Sequence, residues 1–425
     1  MKKACGTICQ MTYFSLMKAE PRPLLFAMCN SFFSCFGQSH FLALFSLTIL
    51  QQYHLSNTNF GTLYAGATFL SAFFLPVVGP WIDRVDVRKY CLLILFSLIT
   101  GYYFLLSTSS LVVLFVSLFL LRMGGQGLCT HINGVCTARY FGNNRGKALS
   151  LTNTGFPVAE GIFTPIMAGL IVVYSPQFII YILLTLLVLI YFPVTFFITK
   201  NNSHFNKPLL SEEVPDQHTN RKNWTPHDVL RHNIFYLLIS HSIFPAFSLS
   251  GFLIYQMSYA QSKNWPLNTV ALAMSLFACG RLLSAFVTGP LVDRLGALRL
   301  FPFYQLPLAL AFSLLWYFET PWIASAGLFL CGVTVGAAAP IKSSLWAELY
   351  GVAHLGAIKS LFATIIVIVT SVSPLFFGWM IDQNQHIFLL LLLTLISLIT
   401  TALGALAVYL YKKESVSERI LSLEK

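Results

Sequence analysis

Apolar residues in this chain gather in long runs, neither alternating like half-buried strands nor striped like surface helices. Twelve runs can be traced, at 23–50, 58–80, 90–107, 110–136, 146–173, 177–199, 233–258, 267–291, 299–317, 322–345, 356–381 and 387–411. Crossing a hydrocarbon core takes about 20 helical residues. An unpaired strand edge in lipid leaves backbone groups unsatisfied, so every run is predicted to be a helix. One long polar stretch, 200–232, carries Lys200, Lys207, Glu212, Glu213, Asp216, Arg221 and Lys222. It divides the chain into a six-helix bundle at 1–199, a cytoplasmic linker at 200–232, and a second six-helix bundle with a cytoplasmic tail at 233–425. The expected fold class is an all-α membrane protein with twelve transmembrane helices.

Composition agrees. Hydrophobic residues make up 56% of the 425 and charged residues 10%, where a soluble domain carries about 25% charged. The net charge of +11 comes without a dense Lys/Arg run, so no nucleic-acid partner is expected. With both termini cytoplasmic, 23 of the 26 basic residues fall on the inner side, and the outer loops hold only Lys263. The positive-inside rule selects that orientation. The N-terminus does not read as a cleavable signal, because Lys18, Glu20, Pro21 and Arg22 interrupt it. Cys129, His131 and Cys136 fit no standard zinc spacing and read as helix packing, so neither metal nor cofactor is expected. The loop G-x-x-x-x-G-K-[ST] is absent, which argues against ATP drive. No catalytic constellation stands out, so an enzyme is not expected.

An internal repeat is legible. Gly79-Pro-Trp-Ile-Asp83-Arg84 recurs as Gly289-Pro-Leu-Val-Asp293-Arg294, offset by 210 residues. Gly146-Lys-Ala-Leu-Ser150-Leu151 recurs at the same offset as Gly356-Ala-Ile-Lys-Ser360-Leu361. Thr164-Pro165 and Gly169 correspond to Ser373-Pro374 and Gly378 at an offset of 209. These landmarks imply two pseudo-symmetric bundles related by an axis along the membrane normal.

The run G-P-W-I-D-R-V-D-V-R-K at 79–89 resembles the loop 2–3 signature of the major facilitator superfamily, matching at Gly79, Asp83, Arg84, Arg88 and Lys89. Asp86 stands where that signature has Gly. The second copy keeps Gly289, Asp293, Arg294 and Gly296. L-R-M-G-G-Q-G at 121–127 is similar to the family's Arg-containing helix 4 motif, with Gln126 and Gly127 shifted by one. A-R-Y-F-G-N-N-R-G-K-A-L-S-L at 138–151 is similar to its loop 4–5. The resemblance covers essentially the whole chain. Gly37-Gln38-Ser39-His40 and the Glu of helix 5 resemble a little-characterised bacterial branch, and more faintly the monocarboxylate porters. N-T-G-F-P-V-A-E-G-I-F-T-P at 153–165 lacks the drug-antiporter signature. The resemblance implies the major facilitator fold, a bacterial inner-membrane location and transport by rocking of two halves. It also implies that Asp83 docks on the cytoplasmic end of helix 11, and Asp293 on helix 5, as locks between the halves.

Ionisable groups inside a membrane are costly and mark function. Arg122 lies about 18 Å into helix 4 at 1.5 Å per residue, and Glu160 is similarly deep in helix 5. The expectation is an Arg122–Glu160 pair, functional or purely structural. Arg281, deep in helix 8, reads as an anion site or as an Arg satisfied by backbone carbonyls. His40, beside Gln38 in helix 1, can titrate near neutrality or be a hydrogen-bonded core histidine. Gln126 completes the candidate set. Lys342 and Glu348, at the inner end of helix 10, read as snorkelling or as a cytoplasmic ion pair. Pro157, Pro165, Pro245, Pro340 and Pro374 are expected to bend helices.

The expected function is secondary active transport of a small organic solute, with an organic anion coupled to protons as the specific reading, in a monomer within the lipid bilayer. Export of a larger amphipathic or drug-like compound is one alternative. A membrane sensor that does not transport is another.

Overall fold

The structure is a computed structural model. It describes residues 13–107, 110–141, 145–199, 224–351 and 355–423, so most of the predicted linker lies outside the described residues. Eleven described helices are long and apolar enough to cross a membrane. They are α1 (Pro21–Gln52), α2 (Asn57–Ile82), α3 (Val87–Leu105), α4 (Leu111–Thr137), α5 (Ala148–Ile171), α6 (Pro176–Thr199), α7 (Asn233–Ser262), α8 (Leu272–Leu295), α10 (Trp322–Tyr350), α11 (Thr364–Asp382) and α12 (His386–Glu414). Between α8 and α10 lies the shorter apolar helix α9 (Leu306–Tyr317). It starts later than the predicted 299. Pro302 lies within a turn at 301–305 and Pro307 in the first turn of α9, because proline lacks the N–H that a continuing helix needs but is tolerated at a helix start.

Large apolar side chains stand on the surface, among them Phe73, Phe96, Phe286 and Leu189, each about two-thirds exposed. A surface of this kind requires an apolar solvent. Polar groups are internal, including Asn30, Arg122, Glu160, His241 and Gln305.

The chain forms two compact units. Unit 1 comprises Met1–Leu55 and Leu63–Glu212; unit 2 comprises Ser56–Thr62 and Glu213–Lys425. In unit 1, α1 and α4 cross at Gly37 and Gly125, where a Cβ on either would collide with the other helix's backbone. In unit 2, α8 and α10 pack through Gly280, Gly332 and Gly336. A Cβ at the last two would strike the carbonyls of Phe277 and Arg281. Small residues that let backbones approach are how helices associate where burial in lipid gives no driving force. The first turn of α2 belongs to unit 2. There Asp382 accepts from Asn57 N (3.0 Å) and Nδ2 (2.8 Å), and from Thr58 N (2.7 Å) and Oγ1 (2.6 Å).

The two copies of the repeat turn their corner differently. Gly296 has φ +81°, a conformation open chiefly to glycine. Its counterpart Asp86 has φ −58° and caps the helix Val87–Leu105 by accepting from Arg88 N at 2.8 Å. At the second corner the cap comes from a distance. Glu348 accepts from Ala297 N (2.9 Å) and Leu298 N (3.3 Å). Glu348, which the sequence offered as a snorkelling or ion-paired carboxylate, also serves here as a cap, because two orphan N–H groups at a helix start need acceptors.

Candidate functional site

In unit 1 the helices depart from α geometry where the candidate residues lie. Helix α1 tightens to 3₁₀ at Ser34–Gly37 and resumes at Ser39 after an extended Gln38 (ψ 153°). Helix α4 widens to a π-helix over Arg122–Cys129, and α5 over Ala159–Phe163. Such bulges are frequent at functional sites.

The break in α1 frees carbonyls. Phe41 N bonds Gln38 O at 3.1 Å and no longer reaches Gly37 O four residues back. Arg122 Nη1 fills that acceptor at 2.8 Å. Tyr102 OH donates to the preceding carbonyl, Phe36, at 2.5 Å. Arg122 Nε also donates to Thr68 Oγ1 at 3.1 Å, and its guanidinium lies 5.2 Å from the Tyr64 ring centroid. Tyr64 OH in turn donates to Ser39 Oγ at 2.8 Å. Arg122 is 4% exposed.

Glu160 does not pair with Arg122, contrary to expectation. Its Oε1 stands 3.5 Å from His40 Nδ1, both side chains being buried (2% and 4% exposed). The far ring nitrogen of His40 lies 3.2 Å from Cys35 Sγ, and Cys35 Sγ lies 3.6 Å from Thr164 Oγ1. Carboxylate, imidazole, thiol and hydroxyl thus form one continuous line across α1 and α5. Aromatic rings seal it. Phe36, Phe41 and Phe163 stack with centroids 5.3–5.8 Å apart, and Phe156 meets His40 edge-on at 5.7 Å. Cys35, Tyr64, Thr68 and Tyr102 were not singled out as site residues from the sequence, and Thr164 was noted only as a landmark of the repeat. Only the helix break, which carries no proline, brings their partners within reach.

The other candidates are more dispersed. Gln38 is partly exposed and acts through its carbonyl, which accepts from Phe41 N and Leu42 N. Gln126 is exposed on the π segment. Arg281 is partly buried on α8, with its backbone against Gly332 and Gly336. Gly79 opens a 3₁₀ turn, Gly79–Asp83, with His131 Nε2 3.5 Å from where its Cβ would lie. The side chain of Asp83 is outside the described residues. Arg84 is exposed, and Arg88 is tied to Asp86 at 3.2 Å. Gly289 has open space around it, and Asp293 and Arg294 are exposed. Unit 2 holds its own polar group around the buried His241, Tyr304 and Gln305 and the partly buried Lys342. Here His241 Nε2 lies 2.9 Å from Phe301 O, and Gln305 Nε2 donates to Thr400 Oγ1 at 2.8 Å.

The profile described as Major Facilitator Superfamily matches residues 27–267 and again 242–425. The chain belongs to the major facilitator superfamily. Solved structures of this fold extend the likeness over nearly its whole length. A bacterial homologue of the human lysosomal transporter Spinster, inward-facing and unoccupied, aligns with TM-score 0.67 at 14% identity, covering 93% of this chain and 98% of that one. A bacterial homologue of the iron transporter ferroportin, inward-facing, aligns with TM-score 0.67 at 16% identity over 93% and 99%. The nucleoside transporter NupG aligns with TM-score 0.64 at 12% identity over 95% and 99%. No curated protein sequence matches the chain. The protein is thus a multi-pass membrane transporter of the major facilitator fold, not an enzyme.

Proposed function

We infer that this transporter carries a small organic anion together with a proton, by alternating access of its two units. The observation that supports this reading most is the sealed His40–Glu160 pair, 3.5 Å apart. A buried charge must be paired or neutralised, and a carboxylate–imidazole pair can gain or lose a proton while staying hydrogen-bonded. Arg122 is fixed by the Gly37 carbonyl three residues before His40, and no carboxylate is among its partners in the described residues. An anion arriving at Arg122 adds a negative charge, and a proton on the pair restores the balance. That linkage is symport. The coupling group is therefore the His40–Glu160 pair.

The same-fold transporters named above include one for nucleosides and one related to an iron transporter, so cargo has to be argued from this chain's own residues. Positive-inside charge supports cytoplasmic termini in a bacterial inner membrane. The loop aspartates Asp83 and Asp293 are proposed as cytoplasmic locks on helices 11 and 5, and the working unit as a monomer. The domain boundaries at 199 and 233 are proposed on the polar stretch between them.

A second reading has one observation behind it. A cavity of ≈ 410 Å³ in unit 1, lined almost wholly by apolar atoms of residues such as Leu25, Phe32, Val158 and Ile190, suits the tail of an amphipathic cargo. Proteoliposomes decide between them. Under the first reading an inward proton gradient concentrates a labelled monocarboxylate, and Glu160→Gln abolishes the accumulation. Normal accumulation by Glu160→Gln, or a cationic cargo, overturns it.

A further inference from the structure

Helix α7 is opened in unit 2 much as α1 is opened in unit 1. Pro245 lies inside α7 and has no N–H to give the carbonyl of His241 four residues back. Tyr304 OH donates to that carbonyl at 2.9 Å. The next carbonyl, Ser242, accepts from Lys342 Nζ at 2.8 Å, and the ammonium lies 5.4 Å from the Tyr304 ring centroid. Unit 1 shows the same two parts: a tyrosine hydroxyl on one carbonyl of the broken helix (Tyr102 on Phe36) and a cation on the next (Arg122 on Gly37). The devices differ in depth. Arg122 is twelve residues into α4 and Lys342 twenty-one into α10, counted from Leu111 and Trp322.

We propose that Lys342 is a carboxylate-binding cation of unit 2, the anchor for an anionic cargo, with Ser242 beside it. The proposal rests on the reading that this chain moves an organic anion. Four observations lead to it. An ammonium has three N–H donors, and the Ser242 carbonyl takes one. The described acids of unit 2 with hydrogen-bonded partners are engaged elsewhere: Asp228 at Thr225, Glu348 at Ala297 and Leu298, Asp382 at Asn57 and Thr58, Glu414 at His232. Asp293 and Glu319 are exposed. The Ser242 hydroxyl is fully buried and without a hydrogen-bond partner. Lys342 is only partly buried, next to the exposed, small Ala339 and Ser343, so a ligand can reach it. A cation within an apolar span, answered among the described residues only by a carbonyl dipole and a ring face, is expensive. A carboxylate completes it, accepting from the ammonium protons that the Ser242 carbonyl leaves over. A snorkelling lysine would point its ammonium out of the bundle, whereas this one is bonded into it.

Purified full-length protein in a neutral detergent provides the test, with acetate, lactate and benzoate as probes and the corresponding amides as uncharged controls. Wild type and Lys342→Arg are expected to show a concentration-dependent rise in melting temperature with at least one acid and none with its amide. Lys342→Met is expected to lose that rise, with an apparent affinity at least tenfold weaker. Lys263→Met, which removes a cation outside the spans, is expected to keep it. An equal rise in Lys342→Met, an equal rise with the amide, or no rise in wild type with any of the three acids overturns the proposal. Should Lys342→Met fail to fold, Lys342→Gln makes the same comparison. No proton gradient exists in detergent, so failure of proton coupling leaves this readout intact and the two readings fail separately.

Discussion

His40 Nδ1 faces Glu160 Oε1 at 3.5 Å across two helices that both abandon α geometry at that level. Removing one member of a buried ionic pair leaves the other uncompensated, at about 3–5 kcal/mol. His40→Ala is therefore expected to lower the melting temperature sharply. Glu160→Gln replaces a charge by a neutral isostere and should cost much less. The double substitution His40→Ala/Glu160→Gln should recover part of the His40→Ala loss, because the orphan carboxylate is gone. Thermal melts of the three variants check this. Additive losses would mean that the two groups do not interact.

The tyrosine on the broken helix gives a second expectation. Tyr102→Phe removes the donor to the buried Phe36 carbonyl and nothing else. An unsatisfied buried acceptor costs about 1–3 kcal/mol. Tyr304→Phe should cost about the same, since it leaves the His241 carbonyl that Pro245 cannot serve. Neither is expected to change cargo affinity more than about threefold if the cations themselves bind. Melting temperature and uptake KM, measured side by side, separate the roles. A large KM effect with an unchanged melt would place the tyrosines in contact with cargo instead.

The apolar runs, the repeat and the family motifs were legible because each depends on residue type at fixed spacing. The partners of the buried charges were not. Helices 4 and 5 are adjacent in sequence, which suggested Arg122–Glu160, but adjacency says nothing about rotation about the helix axis. Each π-helical segment bonds i to i+5 and turns the following residues away from the face that a 3.6-residue period assigns. Arg122–Cys129 and Ala159–Phe163 both do so, and Arg122 meets Gly37 while Glu160 meets His40. The 3₁₀ break at Ser34–Gly37 has only a glycine to announce it, and that glycine is there for the close approach of α4. Lys342 was visible as a charge, but its bond to the Ser242 carbonyl on another helix was not.

Glycines in the paired loop motifs should respond unequally. Gly296 sits at φ +81°, and placing an L-residue in a left-handed conformation costs roughly 1–2 kcal/mol. Gly289 has φ in the ordinary helical region and nothing within 4 Å of an added Cβ. Gly296→Ala is expected to lower the melting temperature by several degrees, and Gly289→Ala to leave it unchanged or raise it slightly, since Ala favours the helix by about 0.8–1 kcal/mol. If Gly289→Ala stops uptake while the melt is unchanged, that glycine is needed in a second conformation of the transporter, and the lock reading of the Gly289–Arg294 segment at the end of α8 gains support.

Asp382 makes the sharpest demand on the transport cycle. Its two oxygens take four donors from the first turn of α2, and Tyr255 OH holds the Asn57 carbonyl of the same turn at 2.6 Å. A carboxylate at a helix N-terminus is favoured both as a cap and by the helix dipole. Residues 56–62 cluster with unit 2 and the remainder of α2 with unit 1, so any movement of one unit against the other must break these bonds or bend α2 after its first turn. Asp382→Asn presents one acceptor oxygen and a competing amide donor to four N–H and O–H groups. It is expected to weaken this hold by about 1–2 kcal/mol, shifting the balance between conformations up to about thirtyfold. A cysteine placed at Ser56 reports the change. Its labelling by a membrane-impermeant maleimide should quicken several-fold in Asp382→Asn, while Asp382→Glu, which keeps the charge, should label closer to the parent rate. Equal labelling in all three proteins would show that the cap is not broken during the cycle, and that α2 bends instead.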